Sequence, residues 1–122
     1  MGKKQPRTEG DLVVHIVKAV KEKYPWAWIF KVHGGPMQQA GIPDLLIVVY
    51  GLMVGAEVKH RKPGESEEHA RGRATPLQRE QIRKLREAGA VADVVLSPEE
   101  TLALIEQALE RHYTREEDRS IG

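Results

Sequence analysis

Three side chains in the stretch Gly41 to Arg61, GIPDLLIVVYGLMVGAEVKHR, have the types and spacing for phosphate chemistry: Asp44, Glu57 and Lys59. Asp44 opens one β run, DLLIVVY (residues 44–50), and the next run, VGAEVKH (residues 54–60), carries the other two. Runs rich in Val, Ile and Tyr and broken by Gly51 read as adjacent strands of a hairpin. Side chains alternate across a strand, so Glu57 and Lys59 share one face while Val58 takes the other. Asp44 reaches the same rim from the neighbouring strand. Two carboxylates and an ammonium meeting there would suit a hard divalent cation and a reacting phosphate. The competing arrangement is a surface salt-bridge cluster, which is the commoner fate of an acid-x-lysine triplet taken alone.

Those strands need a scaffold, and the chain supplies the signals for one. With 122 residues it is long enough for a single domain with one core. The expected extent is 1–122, with a core of about 8–112 between flexible tails. A helix is expected from Thr8, with Asp11 as an acidic variant of the capping box and an apolar stripe of Leu12, Val13, Ile16 and Val20; Pro25 ends it. Glu9 lies at the N-terminal end of that stripe, either as a helix-dipole partner or as a member of the site. WAWIFKVH (residues 26–33) reads as a strand with one lysine, Lys31, and a glycine-rich loop follows to Gly41. Lys31 and the Gly34-Gly35 backbone amides are placed to approach a phosphate, although a simple turn is the commoner role for such glycines. Neither His33 nor His60 has a partner at ligand spacing.

KPGESEEHARGRA (residues 62–74) has no periodicity and is expected to be a mobile excursion that orders only against substrate. Thr75, Pro76 and Gln78 then form a sharp helix start, with Gln78, Ile82 and Leu85 on one face. Gln78 either completes the capping box or points over the sheet toward the carboxylates, and the two roles are compatible. AVADVVL (residues 90–96) is the last strand, and a capped helix from Ser97 leads to a charged tail from Thr114 that is expected to fray. The order α-β-β-β-α-β-α argues for an α/β sandwich with a mixed central sheet.

Composition narrows the function classes. The absence of cysteine excludes disulfides, zinc–thiolate sites and cysteine nucleophiles. No stretch is apolar for long enough to cross a membrane, and MGKKQPRTEGD lacks a signal-peptide core, so a cytoplasmic protein is expected, in a bacterium or a phage-infected host cell. The net charge is only +1, but between Lys59 and Arg86 nine Lys/Arg face four Asp/Glu. A basic middle beside an acidic motif fits a phosphate-rich partner, or else it is solvated surface.

Taken in order, Glu9, Gly41-Ile42-Pro43-Asp44, Glu57-Val58-Lys59 and Thr75-Pro76-Leu77-Gln78 resemble the VRR-NUC domain, the virus-type replication-repair branch of the PD-(D/E)XK nucleases. The resemblance spans about residues 8 to 96 and leaves no motif position substituted. It implies a restriction-endonuclease-like αβββαβ core, here with an extra C-terminal helix. It also implies catalytic roles for Glu9, Asp44, Glu57, Lys59 and Gln78. Mg²⁺ or Mn²⁺ would be held by Asp44, Glu57 and the Val58 carbonyl, with Glu9 as an outer or second ligand. DNA would be gripped by Lys31, Gly35, Arg61, Lys62, Arg71 and Arg73. The implied activity is a metal-dependent DNA endonuclease acting on branched structures such as Holliday junctions or flaps, working as a homodimer in phage replication and repair. Two alternatives stay open: a restriction-like nuclease on ordinary duplex, and a non-catalytic DNA-binding module.

Overall fold

The computed structural model describes residues 5–34 and 39–121, and side chains as far as residue 115. In chain order the elements are α1 (Glu9–Lys23), β1 (Trp28–Lys31), β2 (Leu45–Val49), β3 (Leu52–Val58), α2 (Glu67–Gly72), α3 (Pro76–Glu87), β4 (Val91–Val95) and α4 (Pro98–Ile121). The strands lie in the order β1-β2-β3-β4, antiparallel through β3 and parallel between β3 and β4. This is the mixed α/β sheet expected from the sequence.

The period-2 pattern of the strands decides which helix covers which face. Leu45, Ile47 and Val49 of β2 and Val54, Ala56 and Val58 of β3 enter the larger core with Leu12, Ile16 and Val20 of α1 and Ile105 of α4. The opposite face holds a smaller core, where Ala92 and Val94 of β4 meet Ile82 and Leu85 of α3. Gly55 belongs to this second face: a Cβ there would stand 3.0 Å from Leu85 Cδ1 and 3.4 Å from Ala92 Cβ, so the missing side chain lets α3 sit close on β3. By alternation, Glu57 falls on the α3 side with Gly55.

The hairpin is tighter than its sequence suggests. Tyr50 (φ 52°) and Gly51 (φ 78°) are both left-handed, giving a two-residue turn that closes the Val49–Leu52 pair. The second strand therefore begins at Leu52 rather than Val54. α4 also runs to Ile121, past the expected fraying point at Thr114. No Gly or Pro interrupts residues 99–121, and Glu and Arg are good helix formers.

The largest correction concerns residues 62–74, expected as an unstructured excursion. They contain α2, capped by the Ser66 side chain, which accepts from the His69 N–H, with Glu67 and Glu68 in the first turn. Glu65 ties the segment down. Its carboxylate accepts from Arg73 Nε at 2.9 Å and Nη2 at 3.0 Å, from the Lys62 N–H at 3.0 Å, and it pairs with His69 Nδ1 at 2.5 Å. Arg73 also donates to the His60 carbonyl, binding the segment to the end of β3. These bonds, Arg73 first, hold the Glu65 carboxyl far below the ordinary carboxylate range. Because the folded value is depressed, its stabilising contribution is present above the ordinary carboxylate range and is lost as pH falls below it. Glu65→Ala is therefore expected to lower the melting temperature near neutral pH and to do so less in acid. Equal melting temperatures for variant and parent at neutral pH would remove this network from the list of stabilising contacts.

Candidate active site

Asp44 follows the loop that Gly41 and Pro43 terminate and stands one residue before β2. Continuing the Leu45–Ala56 pairing by one step sets Asp44 opposite Glu57. Its carboxylate is fixed by the β3 backbone, with Oδ2 accepting from the Val58 N–H at 2.9 Å. Its own carbonyl accepts from the Val32 N–H at 2.8 Å, which aligns β1 with the same level. Lys59 leaves β3 immediately beyond, its N–H donating to the Val95 carbonyl at 3.0 Å. Asp44, Glu57 and Lys59 thus come together on the α3 side of the sheet.

Glu57 is the unusual member. It is 1% exposed, and neither carboxylate oxygen has a hydrogen-bond partner among the described residues. A buried charge without donors is among the most costly groups a fold can hold. Its carboxyl is pushed up to about 8, by burial first and then by the Asp44 carboxyl, with Lys59 opposing and Glu9 adding a smaller upward push. That last contribution places Glu9 within electrostatic reach of the site, although it is exposed at the first turn of α1. The Thr8 cap and the contact between His60 Nε2 and the Pro6 carbonyl at 2.9 Å bring the start of α1 beside the end of β3.

Gln78 occupies the capping box: Thr75 Oγ1 accepts from the Gln78 N–H at 3.1 Å, and Gln78 Oε1 accepts from the Thr75 N–H at 2.9 Å. Its oxygen is committed, so only the amide NH₂ can turn outward, and Gln78 can serve a site as a donor rather than as an acceptor. The same helix start makes a contact that the sequence conceals. Gly41 has φ +85°, and a Cβ on it would lie 2.5 Å from the Leu77 carbonyl oxygen. The GIPD turn and the TPLQ turn are therefore pressed backbone to backbone. The left-handed glycine beside Pro43 was the available signal for a special turn, but its partner lies thirty-six residues away in the chain.

The expected DNA-contacting cations divide into two groups. Arg73 is held by Glu65, Arg71 pairs with Glu100 at 2.6 Å and donates to the Val94 carbonyl at 3.3 Å, and Arg61 donates to the Glu65 carbonyl at 2.5 Å. These three fasten the α2 segment. Lys31 and Lys62 have no ion-pair partner among the described residues, but Lys31, paired with Leu45, falls by alternation on the α1 side of the sheet, away from the carboxylates, and Gly35 lies outside the described residues. A capping signal at Ser66 with acids after it and Arg71 in the last turn could have disclosed α2 from the sequence.

The oxygen donors suit a hard divalent cation. Two donorless oxygens on Glu57, a second carboxylate beside them and an ammonium at the rim match what Mg²⁺ or Mn²⁺ prefers. Among the described residues no three His, Asp or Glu side chains form a closed cage. That is compatible with Mg²⁺, which commonly takes one or two carboxylates and keeps several waters.

No protein-family model matches the chain, and no curated protein matches it. Solved structures do. One, titled a VRR_NUC domain, superposes with TM-score 0.55 at 25% identity, covering 81% of this chain and 96% of its own. Another, titled a VRR_NUC domain protein, gives TM-score 0.57 at 23% identity, covering 89% of this chain and 92% of its own.

Proposed function

From the VRR-NUC nuclease-domain fold that this chain has, we propose that it is a divalent-metal-dependent endonuclease that hydrolyses DNA phosphodiester bonds. The observation that carries this reading is the Glu57 carboxylate, buried without a donor beside Asp44 on the site face. Evolution rarely keeps such a group for stability, whereas a cation gives it a partner. Asp44 and Glu57 would hold Mg²⁺ or Mn²⁺, with the Val58 carbonyl as a third oxygen and Glu9 as an outer ligand. When bound, the ion would supply a water of lowered pKa and offset the charge gathering on the phosphate.

The chain's own groups do the rest. The Asp44 side chain is fixed by the Val58 N–H, so its free lone pairs face the site without loss of further rotamer freedom. The Lys59 ammonium orients the attacking water and stabilises the negative phosphate oxygens in the transition state. The Gln78 NH₂ is a donor to the same oxygens, held in place by its committed carbonyl. Lys62 contributes a phosphate contact that positions the strand without reading its sequence. The preferred substrate is branched DNA, a Holliday junction or a flap, and a homodimer would set two sites on the two strands of a symmetric junction.

Cleavage assays on a four-way junction, a flap and a blunt duplex test this, each with Mg²⁺, with Mn²⁺ and with EDTA. Metal-dependent cutting is expected, strongest on the branched substrates, and Lys59→Met should reduce the rate by about a hundredfold or more with little change in DNA affinity. Cleavage that persists in EDTA, or none on any DNA, would defeat the assignment. Sedimentation of the same protein reads the dimer directly, and a monomer at working concentration would count against paired cutting.

A further inference from the structure

The site face of the sheet continues past α3. α3 covers β3 and β4, whereas β1 at the far edge leaves Trp28 and Phe30 54% and 43% exposed. Both lie on the face of the carboxylates: Trp28 pairs with Val48, Phe30 with Leu46, and Val32 meets Asp44 two residues further along. Their rings are stacked, with centroids 5.8 Å apart and planes within 7°. An edge strand that shows two large parallel rings to solvent is unusual, since such rings carry much of a core's burial energy. Phe30 stands about 7 Å and Trp28 about 14 Å along β1 from the level of Asp44.

We infer that Trp28 and Phe30 form a stacking platform for unpaired nucleobases of the strand whose backbone enters the Asp44–Glu57 site. Three features select this occupant. The rings are parallel to each other and about half exposed, and an aromatic face accepts any base without sequence preference. The strip is continuous with the candidate site. Between Tyr24 and Pro43 the sequence has no acid, so no carboxylate from this segment opposes a phosphate backbone lying along the strip. This rests on the nuclease reading for its direction of approach, and it narrows the substrate to DNA with an unpaired segment beside the scissile bond.

Fluorescence anisotropy in EDTA, where no cutting occurs, tests it with labelled oligothymidylate and a labelled blunt hairpin duplex. The full-length Trp28→Ala/Phe30→Ala variant should bind oligothymidylate about 5- to 150-fold more weakly, with affinity for the blunt hairpin within about twofold. Trp28→Phe/Phe30→Tyr keeps two rings and should restore most of the loss. Oligothymidylate binding unchanged by the double alanine variant would overturn the platform. So would a dimeric parent becoming monomeric in that variant, because the face would then be an interface between copies. Ring-dependent binding without cleavage of any DNA would support the platform and remove the nuclease reading; cleavage with ring-independent binding would do the reverse.

Discussion

Glu57→Gln is expected to abolish metal-dependent cleavage while making the metal-free protein more stable. The loss should be roughly three orders of magnitude or more, because the variant removes a charged oxygen from the cation site. The gain in stability follows from Glu57 itself, buried at 1% exposure and lacking any donor. Its carboxyl is raised from 4.5 to about 8 in the folded chain. Between those values the unfolded chain has released the proton and the folded chain still holds it. Stability contributed by the neutral form is thus complete below the unfolded value and falls as pH rises through the folded one. The metal-free parent should therefore lose on the order of 1 kcal/mol per pH unit from mildly acid to mildly alkaline solution, and Glu57→Gln should lack this slope. Denaturant unfolding in EDTA at several pH values measures both. A salt-bridge cluster predicts the opposite sign, since neutralising a member would then weaken the fold. Asp44→Asn is the companion: Asn can still accept from the Val58 N–H, so the fold should survive while cleavage is lost to a similar degree.

Gly41→Ala is expected to cost about 3 kcal/mol or more and to disable the site from outside it. Two effects add. A residue with a side chain pays for the left-handed backbone at φ +85°, and its Cβ would stand 2.5 Å from the Leu77 carbonyl oxygen and 2.9 Å from the Gln78 nitrogen. Those neighbours are backbone atoms of a capped helix start, so they cannot swing aside. Either α3 lifts from its Thr75 capping box or the turn before Asp44 shifts, and each displaces a site residue. Gly51→Ala is the control, with φ +78° but open space around the position, and should show only the conformational part of the loss. Equal destabilisation by the two substitutions would show that the contact with Leu77 is without consequence.

Much of the fold is legible along the chain because it depends on short periods. Alternation through residues 45–49 and 54–58 reports which face each strand buries, and the stripe of Leu12, Ile16 and Val20 reports a helix lying on that face. The capping box at Thr75 and Gln78 is local and was readable as such. The order of residues 62–74 is hidden in the sequence because it comes from a charged hub rather than from apolar periodicity. Glu65 is a surface residue by type and becomes the centre of the segment only once Arg73, His69 and the Lys62 N–H converge on it.

By itself the sequence determined the family resemblance, the mixed sheet, and the placing of Glu57 and Lys59 on one strand face with Asp44 at the start of the strand beside it. Those follow from residue type and a spacing of two, which the backbone enforces locally. Tertiary structure alone decided that Glu57 is sealed without a donor, that Gly41 bears on Leu77, that Arg71 and Arg73 are spent on holding α2, and that Trp28 and Phe30 stay uncovered. Each of these depends on which atoms arrive from distant parts of the chain. Packing fixes that, and no local period encodes it.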